Sequence, residues 1–530
     1  IAFLVKENGK FHGIVTDGDI RRALIKNDKF DCIQKIMNMS PITVQKKTPY
    51  EEVVELLGKR HKFLPVLDDE DMLAGIYDES HFRLISDVKS RNICVLGMGY
   101  VGLTLSLVLA DEGFKVFGYD INNTLIARLS NGTQTFFEHG IDTFLKTNVN
   151  KSFIPVSDLG EVCADTYIVT VGTPIEEVTK QPRIDYIEKA ISSIAPHIKE
   201  GDLIILRSTV PVGTTRNVVL PILQKVINLE PGIDYFLAYA PERTVEGAAL
   251  AEIRELPQIV GGYDGLSRTM AESLFKELTT TIISVDDLES AEMIKIMNNT
   301  FRDVKFAYAN EMALICKDLG LDMVNLVSAA NMGYTRDRIP VPSPGVGGAC
   351  LSKDSYILSY STKGIKSTAK LVEEARKVNE FIPLDMSNEI VSTLELLNKD
   401  VSNTKVFIMG FAFKGEPETS DMRGSTTLDL LQHLKNRSIN KDMIFGYDPI
   451  VESKEIEALK ITYSSIEEGF QNADVVVLMN NHHYFKTIDV LSLLKQSKED
   501  VIFVDGWHMY NPSDIIKNTN YKYIGVGCKC

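Results

Sequence analysis

The sequence has little of several features that mark particular classes of protein. It contains one Trp and only seven cysteines in 530 residues, and the cysteines are too scattered for the disulfide framework of a secreted domain. We find no signal peptide and no apolar run of about 18 residues, so no membrane-spanning helix is predicted. Acidic residues outnumber basic ones by 72 to 57, and the net charge of −15 argues against nucleic-acid binding. The composition predicts a cytoplasmic protein with free thiols, no metal site, and no nucleic-acid or membrane partner.

A glycine fingerprint, Gly-Met-Gly-Tyr-Val-Gly, occupies residues 97–102 between a buried-strand pattern and an apolar helix pattern. Gly97 permits a tight turn, Gly99 lets a pyrophosphate approach the backbone, and Gly102 lets the helix pack closely. Asp120 ends the next predicted strand, 21 residues after Gly99, where a carboxylate accepts hydrogen bonds from ribose hydroxyls and repels a 2′-phosphate. This context argues against a turn that binds nothing. It predicts an NAD site formed by Gly97, Gly99, Tyr100, Val101, Gly102 and Asp120.

The length of the chain is too great for one core, and strands that alternate with helices predict parallel, doubly wound sheets. We predict two Rossmann-like domains, an NAD-binding one in residues 92–285 and a C-terminal one in residues 400–530. A helical pattern of about forty residues, Leu288 to Ala329, is broken only near Gly320. We expect this long helix to join the domains within a central region, residues 286–395, that also contains the nucleophile loop and mediates self-association as a dimer or a larger homo-oligomer.

Residues 1–85 carry a weak internal repeat of strand, turn, strand and helix. The stretch around Thr16, Asp17 and Asp19 resembles the strand-to-helix motif of CBS domains, which occur in pairs. The first copy lacks its opening, and the second has Asp78-Glu79-Ser80 in place of the full motif. The resemblance implies an α+β CBS-like pair that either holds an adenine nucleotide at Thr16, Asp17 and Asp19 or only assembles subunits.

Cys350 lies on a glycine-rich loop, next to Lys353 and Asp354. A nicotinamide enzyme that removes one hydride needs no thiol, whereas oxidation of an alcohol to an acid does, because a thiohemiacetal can release the second hydride. Lys353 and backbone amides are expected to lower the pKa of the thiol. Lys295 and Asn299 are four positions apart, so both project from one face of a helix, where they can stabilise an oxyanion by roughly 3 kcal/mol. These residues predict a four-electron dehydrogenase.

Six stretches together resemble the UDP-sugar 6-dehydrogenase family, over a span from about Asn92 to Val526. They are residues 171–174, 207–214, 240–247, 292–299, 344–354 and 410–425. The resemblance implies catalytic roles for Thr209, Glu242, Lys295, Asn299, Cys350 and Asp354. It adds Thr173, Thr209, Lys353 and Arg423 to the cofactor site. It assigns substrate binding to Glu242, Arg243, Lys295, Asn299, Arg336, Arg338, Gly347 and Lys414.

The substrate loop, Pro-Glu-Arg-Thr-Val-Glu-Gly in residues 241–247, resembles the branch of the family that acts on N-acetylhexosamines. The expected reaction is oxidation of UDP-N-acetylmannosamine, or of its gluco isomer, to the uronic acid with reduction of two NAD. Two features depart from the pattern: Ala349 replaces a histidine, and two extra residues separate Lys414 from Arg423. Spacing to Pro342 favours Arg336 over Arg338 as the arginine that meets substrate, often from a neighbouring subunit. The alternatives are a UDP-glucose dehydrogenase, a two-electron alcohol dehydrogenase, and a nucleotide-sensing protein with a degenerate dehydrogenase part.

Overall fold

The N-terminal module contains two small sheets. The structure, a computed structural model, describes residues 2–7, 10–26, 32–45, 48, 50–59, 61–78, 87–517 and 519–528. Strands β1 (Ala2–Glu7) and β2 (Lys10–Thr16) pair antiparallel and lead into helix α1 (Asp17–Ile25). Helix α2 (Tyr50–Lys59) accompanies a second sheet of β3 (Val44–Gln45), β4 (Phe63–Leu67) and β5 (Leu73–Asp78). Residues 79 and 80 of the second copy's expected helix start lie outside the described residues.

An eight-stranded sheet forms the core of the second module. Its strands are β6 (Asn92–Leu96), β7 (Lys115–Tyr119), β8 (Phe153–Val156), β9 (Thr166–Val169), β10 (Leu203–Leu206), β11 (Phe236–Tyr239), β12 (Gln258–Gly262) and β13 (Ile282–Val285). The first six are parallel in the order β8-β7-β6-β9-β10-β11, and β12 and β13 extend the sheet in the opposite direction. This is the doubly wound order that places a ligand crevice at the carboxyl ends of β6 and β9.

Helices cover both faces of this sheet. They are α3 (Tyr100–Asp111), α4 (Asn123–Ser130), α5 (Ile141–Asn148), α6 (Asp185–Ile194), α7 (Leu220–Val226), α8 (Ala249–Glu255) and α9 (Gly265–Lys276), with a π-helical turn at Thr215–Val219 before α7. Residues 102–110 of α3 are all buried, because this apolar helix packs between the sheet and its neighbours. The apolar helix expected after the glycine fingerprint is confirmed.

A 32-residue helix, α10 (Leu288–Leu319), connects the two large sheets. The Asp287 side chain caps its first turn by accepting from the amide of Ser290, and Gly320, with φ at +68°, ends it. Helices α11 (Met323–Asn331), α12 (Leu351–Ser361) and α13 (Lys370–Leu396) follow, and α12 and α13 pack against α10. The loop between α11 and α12 therefore carries Cys350 across the side of the central helix.

The C-terminal module is a second doubly wound domain. Strands β14 (Val406–Met409), β15 (Ile444–Tyr447), β16 (Thr462–Tyr463), β17 (Val475–Leu478), β18 (Ile502–Asp505) and β19 (Lys522–Gly525) form a parallel sheet in the order β16-β15-β14-β17-β18-β19. Its helices are α14 (Thr426–Asn436), α15 (Ser453–Glu457), α16 (Ile466–Phe470), α17 (Val490–Leu494) and α18 (Pro512–Ile516). Two Rossmann-like domains joined by a long helix confirm the expected fold class.

The loop after β14 reaches back to the first large domain. The amide of Phe137 donates to Ser420 Oγ at 3.2 Å, and Glu418 lies 3.2 Å from His139 Nε2. On its own domain, Glu418 lies 2.8 Å from His482 Nε2. These polar contacts close one side of a cleft between the two sheets.

Across the part of the chain that the structure describes, no helix is both long and apolar enough to span a membrane.

Candidate active site

The glycine turn after β6 is shaped by steric limits on two of its residues. Gly97 has φ at +95°, in the left-handed region that favours glycine. A Cβ at Gly102 would lie 1.8 Å from the carbonyl oxygen of Gly97, so only glycine fits where α3 meets the turn. A Cβ at Gly99 would have no neighbour within 4 Å, which leaves the backbone open for a ligand at the N-terminus of α3.

A cavity of about 500 Å³ opens beside this turn and is walled by Asp120. Asp120 Oδ2 accepts from the amide of Met98 at 2.8 Å, and Oδ1 accepts from the amide of Asn122 at 2.9 Å. The carboxylate is therefore fixed between the turn and the end of β7. An acidic acceptor, an open glycine backbone and a helix N-terminus together fit the adenosine and pyrophosphate of NAD.

A second cavity, of about 210 Å³, extends from the glycine turn to Cys350. Its walls include the predicted residues Gly99, Tyr100, Val101, Thr173, Thr209, Glu242, Lys295, Cys350, Lys353 and Arg423. These residues come from seven separate stretches of sequence, and the two large domains and the central helix all contribute. The structure thus brings the glycine turn and the thiol to one cleft.

Cys350 immediately precedes α12 and is exposed in this cleft. Although the residue is solvent-accessible, desolvation by the protein around its sulfur disfavours the thiolate and raises the pKa of Cys350. Lys295 and Lys353 lower this pKa, and Asp354 and Glu246 raise it. Lys353 lowers this pKa as expected, but in the free protein the loss of hydration outweighs the two ammonium groups, so the net pKa is raised.

Behind Cys350, the side chain of Asp354 is completely buried between two predicted partners. Asn299 Nδ2 donates to Asp354 Oδ2 at 2.5 Å, and Lys353 Nζ lies 2.7 Å from Asp354 Oδ1. Lys295, one turn before Asn299 on α10, points into the cavity and is 8% exposed. Among the described residues, its ammonium group makes no hydrogen bond or ion pair, so it remains available to a ligand.

Glu242 is held by Arg207, a buried arginine in a stretch whose sequence pattern gave it no individual role. Arg207 donates twice to Glu242 Oε2, at 2.7 and 3.1 Å, while the amides of Arg243 and Thr244 donate to Oε1. Burial alone would raise the pKa of Glu242, but Arg207, these hydrogen bonds and Lys295 outweigh it and lower the pKa. Glu242 is therefore a fixed anion at the wall of the cavity.

A second set of charged groups lies where the C-terminal domain meets the substrate loop. Lys414 Nζ donates to the carbonyl of Glu246 at 2.6 Å, and burial, as the main cause, lowers the pKa of Lys414 to about 8. Arg423 pairs with Asp421 at 2.7 Å and lies 3.6 Å from Glu246. Burial and Asp421 raise the pKa of Glu246 to about 7. The loop of residues 410–425 thus places Arg423 at the wall of the cleft and Lys414 against the substrate loop.

Tyr100 takes part in a contact that no local pattern in the sequence indicated. Its hydroxyl is hydrogen-bonded to the buried carboxylate of Glu138, and the amide of Gly247 donates to both groups at 2.8 Å. This arrangement ties the start of α3 to the substrate loop. Glu138 lies 38 residues beyond Tyr100 in a segment without a recognisable motif, so only the fold reveals the pairing.

Six predicted substrate residues, among them Asn299 and Lys414 described above, do not line either cavity. Arg243 donates to the carbonyl of Pro257 at 3.4 Å, and Gly347 packs against the backbone of Gly424. Arg336 and Arg338 are exposed in the loop after α11. Within this chain neither arginine reaches the cleft, so a role for either would have to come from a neighbouring subunit.

A separate cavity of about 510 Å³ lies in the N-terminal module. Thr16 and Asp17 line it, together with His61 and Lys62. Asp19, also expected there, does not line it; it accepts hydrogen bonds from the amide and hydroxyl of Thr16 at 2.8 and 2.6 Å, in a capping box that starts α1.

Comparisons with known proteins identify the domains in the order in which they occur. Residues 91–279, 289–381 and 407–512 match the NAD-binding, central and UDP-binding domains of the UDP-glucose/GDP-mannose dehydrogenase family. Residues 33–85 match the CBS domain.

Individual relatives match over most of their lengths. The chain is 34% identical to a UDP-N-acetyl-D-mannosamine dehydrogenase of Methanococcus vannielii over 402 residues, 75% of this chain and 88% of the relative. A UDP-N-acetyl-D-mannosamine dehydrogenase structure from Pyrococcus horikoshii matches with a TM-score of 0.74 at 30% identity, covering 83% of this chain and 99% of that one. A UDP-N-acetyl-mannosamine dehydrogenase structure from Staphylococcus aureus matches with a TM-score of 0.69 at 27% identity, covering 82% of this chain and 98% of that one. The chain with this cleft belongs to the UDP-glucose/GDP-mannose dehydrogenase family, with an NAD-binding domain, a UDP-binding domain and a CBS domain.

Proposed function

We propose that this chain oxidises the C6 hydroxyl of UDP-N-acetylmannosamine to the carboxylic acid in two successive steps that reduce two molecules of NAD. The observation that carries the proposal is the cavity that joins the glycine turn to Cys350 and Lys295. The choice of sugar is supported by relatives named UDP-N-acetyl-D-mannosamine dehydrogenase in several organisms. NAD, when bound, supplies the acceptor for each hydride.

In the first step, the substrate alcohol loses its hydroxyl proton and a hydride to become an aldehyde. Lys295 is the cation that stabilises the developing alkoxide, because it projects into the cavity without another partner among the described residues. Lys414 supplies positive charge toward the diphosphate end of the substrate, and Arg423, at the wall of the cavity, is the cofactor contact that the family resemblance implies. The buried acceptor Asp354 keeps Asn299 and Lys353 in place beside the reacting carbon.

In the second step, the Cys350 sulfur bonds to the aldehyde carbon and gives up its proton to water in the cleft. The alkoxide of the resulting thiohemiacetal is stabilised by Lys295 and Asn299, and loss of a hydride converts it to a thioester. One water then cleaves the thioester, which releases the acid and restores the thiol. Glu242 is an anion suited to orient that water through Thr209, and Asp354 is the alternative base.

Counting NADH tests this proposal. Wild-type protein should give two NADH for each UDP-N-acetylmannosamine consumed, and Cys350→Ser should form no uronate. Cys163→Ser is the matched control, since Cys163 is an exposed free thiol away from the cleft. Uronate formation by Cys350→Ser would contradict the cysteine route. Equal activity with UDP-glucose would contradict the choice of sugar, and absence of NADH with all UDP-sugars would favour the sensor.

For the N-terminal module, we propose that its cavity binds an adenine nucleotide that regulates the dehydrogenase. The support is the placement of Thr16 and Asp17 beside His61 and Lys62, which bring donors and a cation suited to a phosphate group. Titration calorimetry with AMP and with ATP tests this: Lys62→Glu should weaken binding, whereas Lys35→Glu, at a residue that does not line this cavity, should not. An unchanged affinity in Lys62→Glu, or no binding to wild type, would favour a purely assembling module.

We also propose that the chain self-associates through α10. Met297, Phe301, Tyr308 and Ile315 are all exposed on this helix, at spacings that place them on one side. Phe301→Glu should lower the sedimentation coefficient, and an unchanged value would contradict this interface.

The six cysteines among the described residues are all free, which supports the prediction of a reducing, cytoplasmic location.

A further inference from the structure

A completely buried polar network links α10 and α13 beneath the loop that carries Cys350. Asp303 on α10 is its centre: Oδ1 accepts from Arg376 Nη1 at 3.0 Å and from Asn379 Nδ2 at 2.8 Å. Asp303 Oδ2 accepts from Ser355 Oγ on α12 at 2.8 Å. Arg376 is 2% exposed and Asp303 is fully inaccessible. None of these residues lines the cleft.

Arg376 extends this network to both sides of the nucleophile. Its Nη2 donates to the carbonyl of Val346 at 2.9 Å, and its Nη1 donates to the carbonyl of Leu351 at 3.3 Å. The segment between these carbonyls contains Gly347 and Gly348, the latter with φ at +96°. A chain with adjacent glycines has little conformational preference of its own, so the position of Cys350 depends on these two fixed carbonyls and on the amide of Gly348, which donates to the carbonyl of Gly424 at 3.0 Å.

The start of the loop is held by the same network. Asn310 Oδ1 accepts from the amide of Ser343 at 2.9 Å, and Asn310 Nδ2 donates to Asn379 Oδ1 at 2.9 Å. A Cβ at Gly345 would lie 2.8 Å from the carbonyl oxygen of Asn379, so the loop lies directly on α13. Asn379 therefore connects the start of the loop to the Asp303–Arg376 pair.

An arginine is suited to this position because its planar, forked donors can meet one carboxylate and two carbonyls at once. A lysine would keep the charge but offers a single nitrogen. A buried ion pair is also a weak way to stabilise a fold, since apolar residues of similar volume often do as well. The geometry therefore favours a role in placing the loop.

We propose that Arg376 is a positioning residue that holds Cys350 where it can reach the substrate aldehyde, and that it thereby controls the second oxidation more than the first. This inference rests on the proposed function, in which Cys350 reacts only with the aldehyde. When the loop is displaced, the first hydride is still removed, but the aldehyde escapes before the sulfur captures it.

The test compares Arg376→Lys with Arg437→Lys, a control arginine that contacts Asn388 near the far end of α13. Turnover is measured with semicarbazide present to trap released aldehyde, and NADH and uronate are both counted. Wild type and Arg437→Lys should give two NADH per uronate. Arg376→Lys should give at least four NADH per uronate, together with trapped aldehyde. It should oxidise added UDP-sugar aldehyde at least tenfold more slowly than wild type, while its rate of alcohol oxidation changes less than threefold.

Asp303→Asn provides a second variant, because it weakens the anchor of Arg376 without touching the loop, and melting curves identify any variant that fails to fold. Two NADH per uronate and wild-type rates of alcohol and aldehyde oxidation in both variants would overturn the inference. Equal slowing of the two oxidations would overturn it as well. The proposed function fails separately: it is wrong if Cys350→Ser forms uronate. If Cys350→Ser forms only aldehyde while Arg376→Lys behaves as wild type, the positioning role alone is wrong.

Discussion

The affinity of the protein for UDP should weaken as pH rises from 7 to 9, through loss of the proton on Lys414. Lys414 is half-buried at the junction of the two large domains, and its ammonium group donates to the carbonyl of Glu246. Burial lowers its pKa to about 8; the nearby Glu246 raises the pKa, and Arg302 lowers it. If this cation meets the diphosphate, only its protonated form binds well, and binding in turn keeps the proton in place.

The size of the effect follows from this pKa. The dissociation constant should increase by a factor of 1 + 10^(pH−8), which is about 2 at pH 8 and about 11 at pH 9, or about 1.4 kcal/mol at the higher pH. The diphosphate of UDP keeps nearly all of its charge over this range, because the second phosphate ionisation lies near pH 6. Glu246, with its pKa raised to about 7, becomes an anion at the lower end of the range and weakens binding there as well.

Titration calorimetry with UDP at pH 7, 8 and 9 and constant ionic strength measures this dependence. Lys414→Arg keeps its charge throughout, so its affinity should fall little above pH 8. Lys414→Gln should bind weakly at pH 7 and retain only the part of the dependence that arises from Glu246, which is nearly complete by pH 8. A wild-type dissociation constant that stays constant from pH 7 to 9 would refute a contact between Lys414 and the diphosphate.

Three further predictions concern the cofactor, the nucleophile and a buried carboxylate. Asp120→Asn should weaken NAD binding roughly tenfold, because a charged acceptor is lost, and should increase turnover with NADP; unchanged NAD:NADP preference would contradict the ribose contact. Lys295→Met should slow alkylation of Cys350 by iodoacetamide at pH 8, since Lys295 lowers the pKa of this thiol, and an equal or faster rate would contradict that coupling. Burial raises the pKa of Glu292 to about 7 from an ordinary value near 4.5. As pH rises from 5 to 7.5, the free energy of unfolding of the wild type should therefore fall relative to that of Glu292→Gln, by at most about 3 kcal/mol, as measured in parallel melting curves. A difference in unfolding free energy that stays constant with pH would contradict this prediction.

Elements with a strong local pattern could be predicted from the sequence. The buried runs at residues 92–96 and 444–447 are strands, and the break at Gly320 lies where α10 ends. These predictions are confirmed because a short apolar run favours a buried strand, and a glycine favours the end of a helix, in any fold. The fingerprint at residues 97–102 succeeds for the same reason: its steric requirements are local to one turn.

Contacts that depend on distant parts of the chain could not be predicted. Arg207 and Glu242 meet through neighbouring strands, and Asp303 meets Arg376 across two packed helices, so no spacing in the sequence reveals either pair. The direction of the net pKa shift of Cys350 could not be predicted either. The adjacent Lys353 is visible in the sequence, whereas the desolvation that outweighs it depends on how the cleft closes around the sulfur.

The separation of the two cavities bears on how a second NAD molecule can enter while the half-oxidised sugar stays bound. Every residue that lines the larger cavity lies between Leu96 and Ser193, within the NAD-binding domain. The smaller cavity is shared with the central helix, the Cys350 loop and Arg423 of the C-terminal domain. The two cavities meet at Gly99 and residues 170–172, which line both, but the adenosine end of the cofactor lies in the cavity that the NAD-binding domain alone forms and can leave and return there. Retention of the aldehyde then depends on Cys350 and the C-terminal domain, which is why the placement of that loop decides whether the product is an aldehyde or an acid.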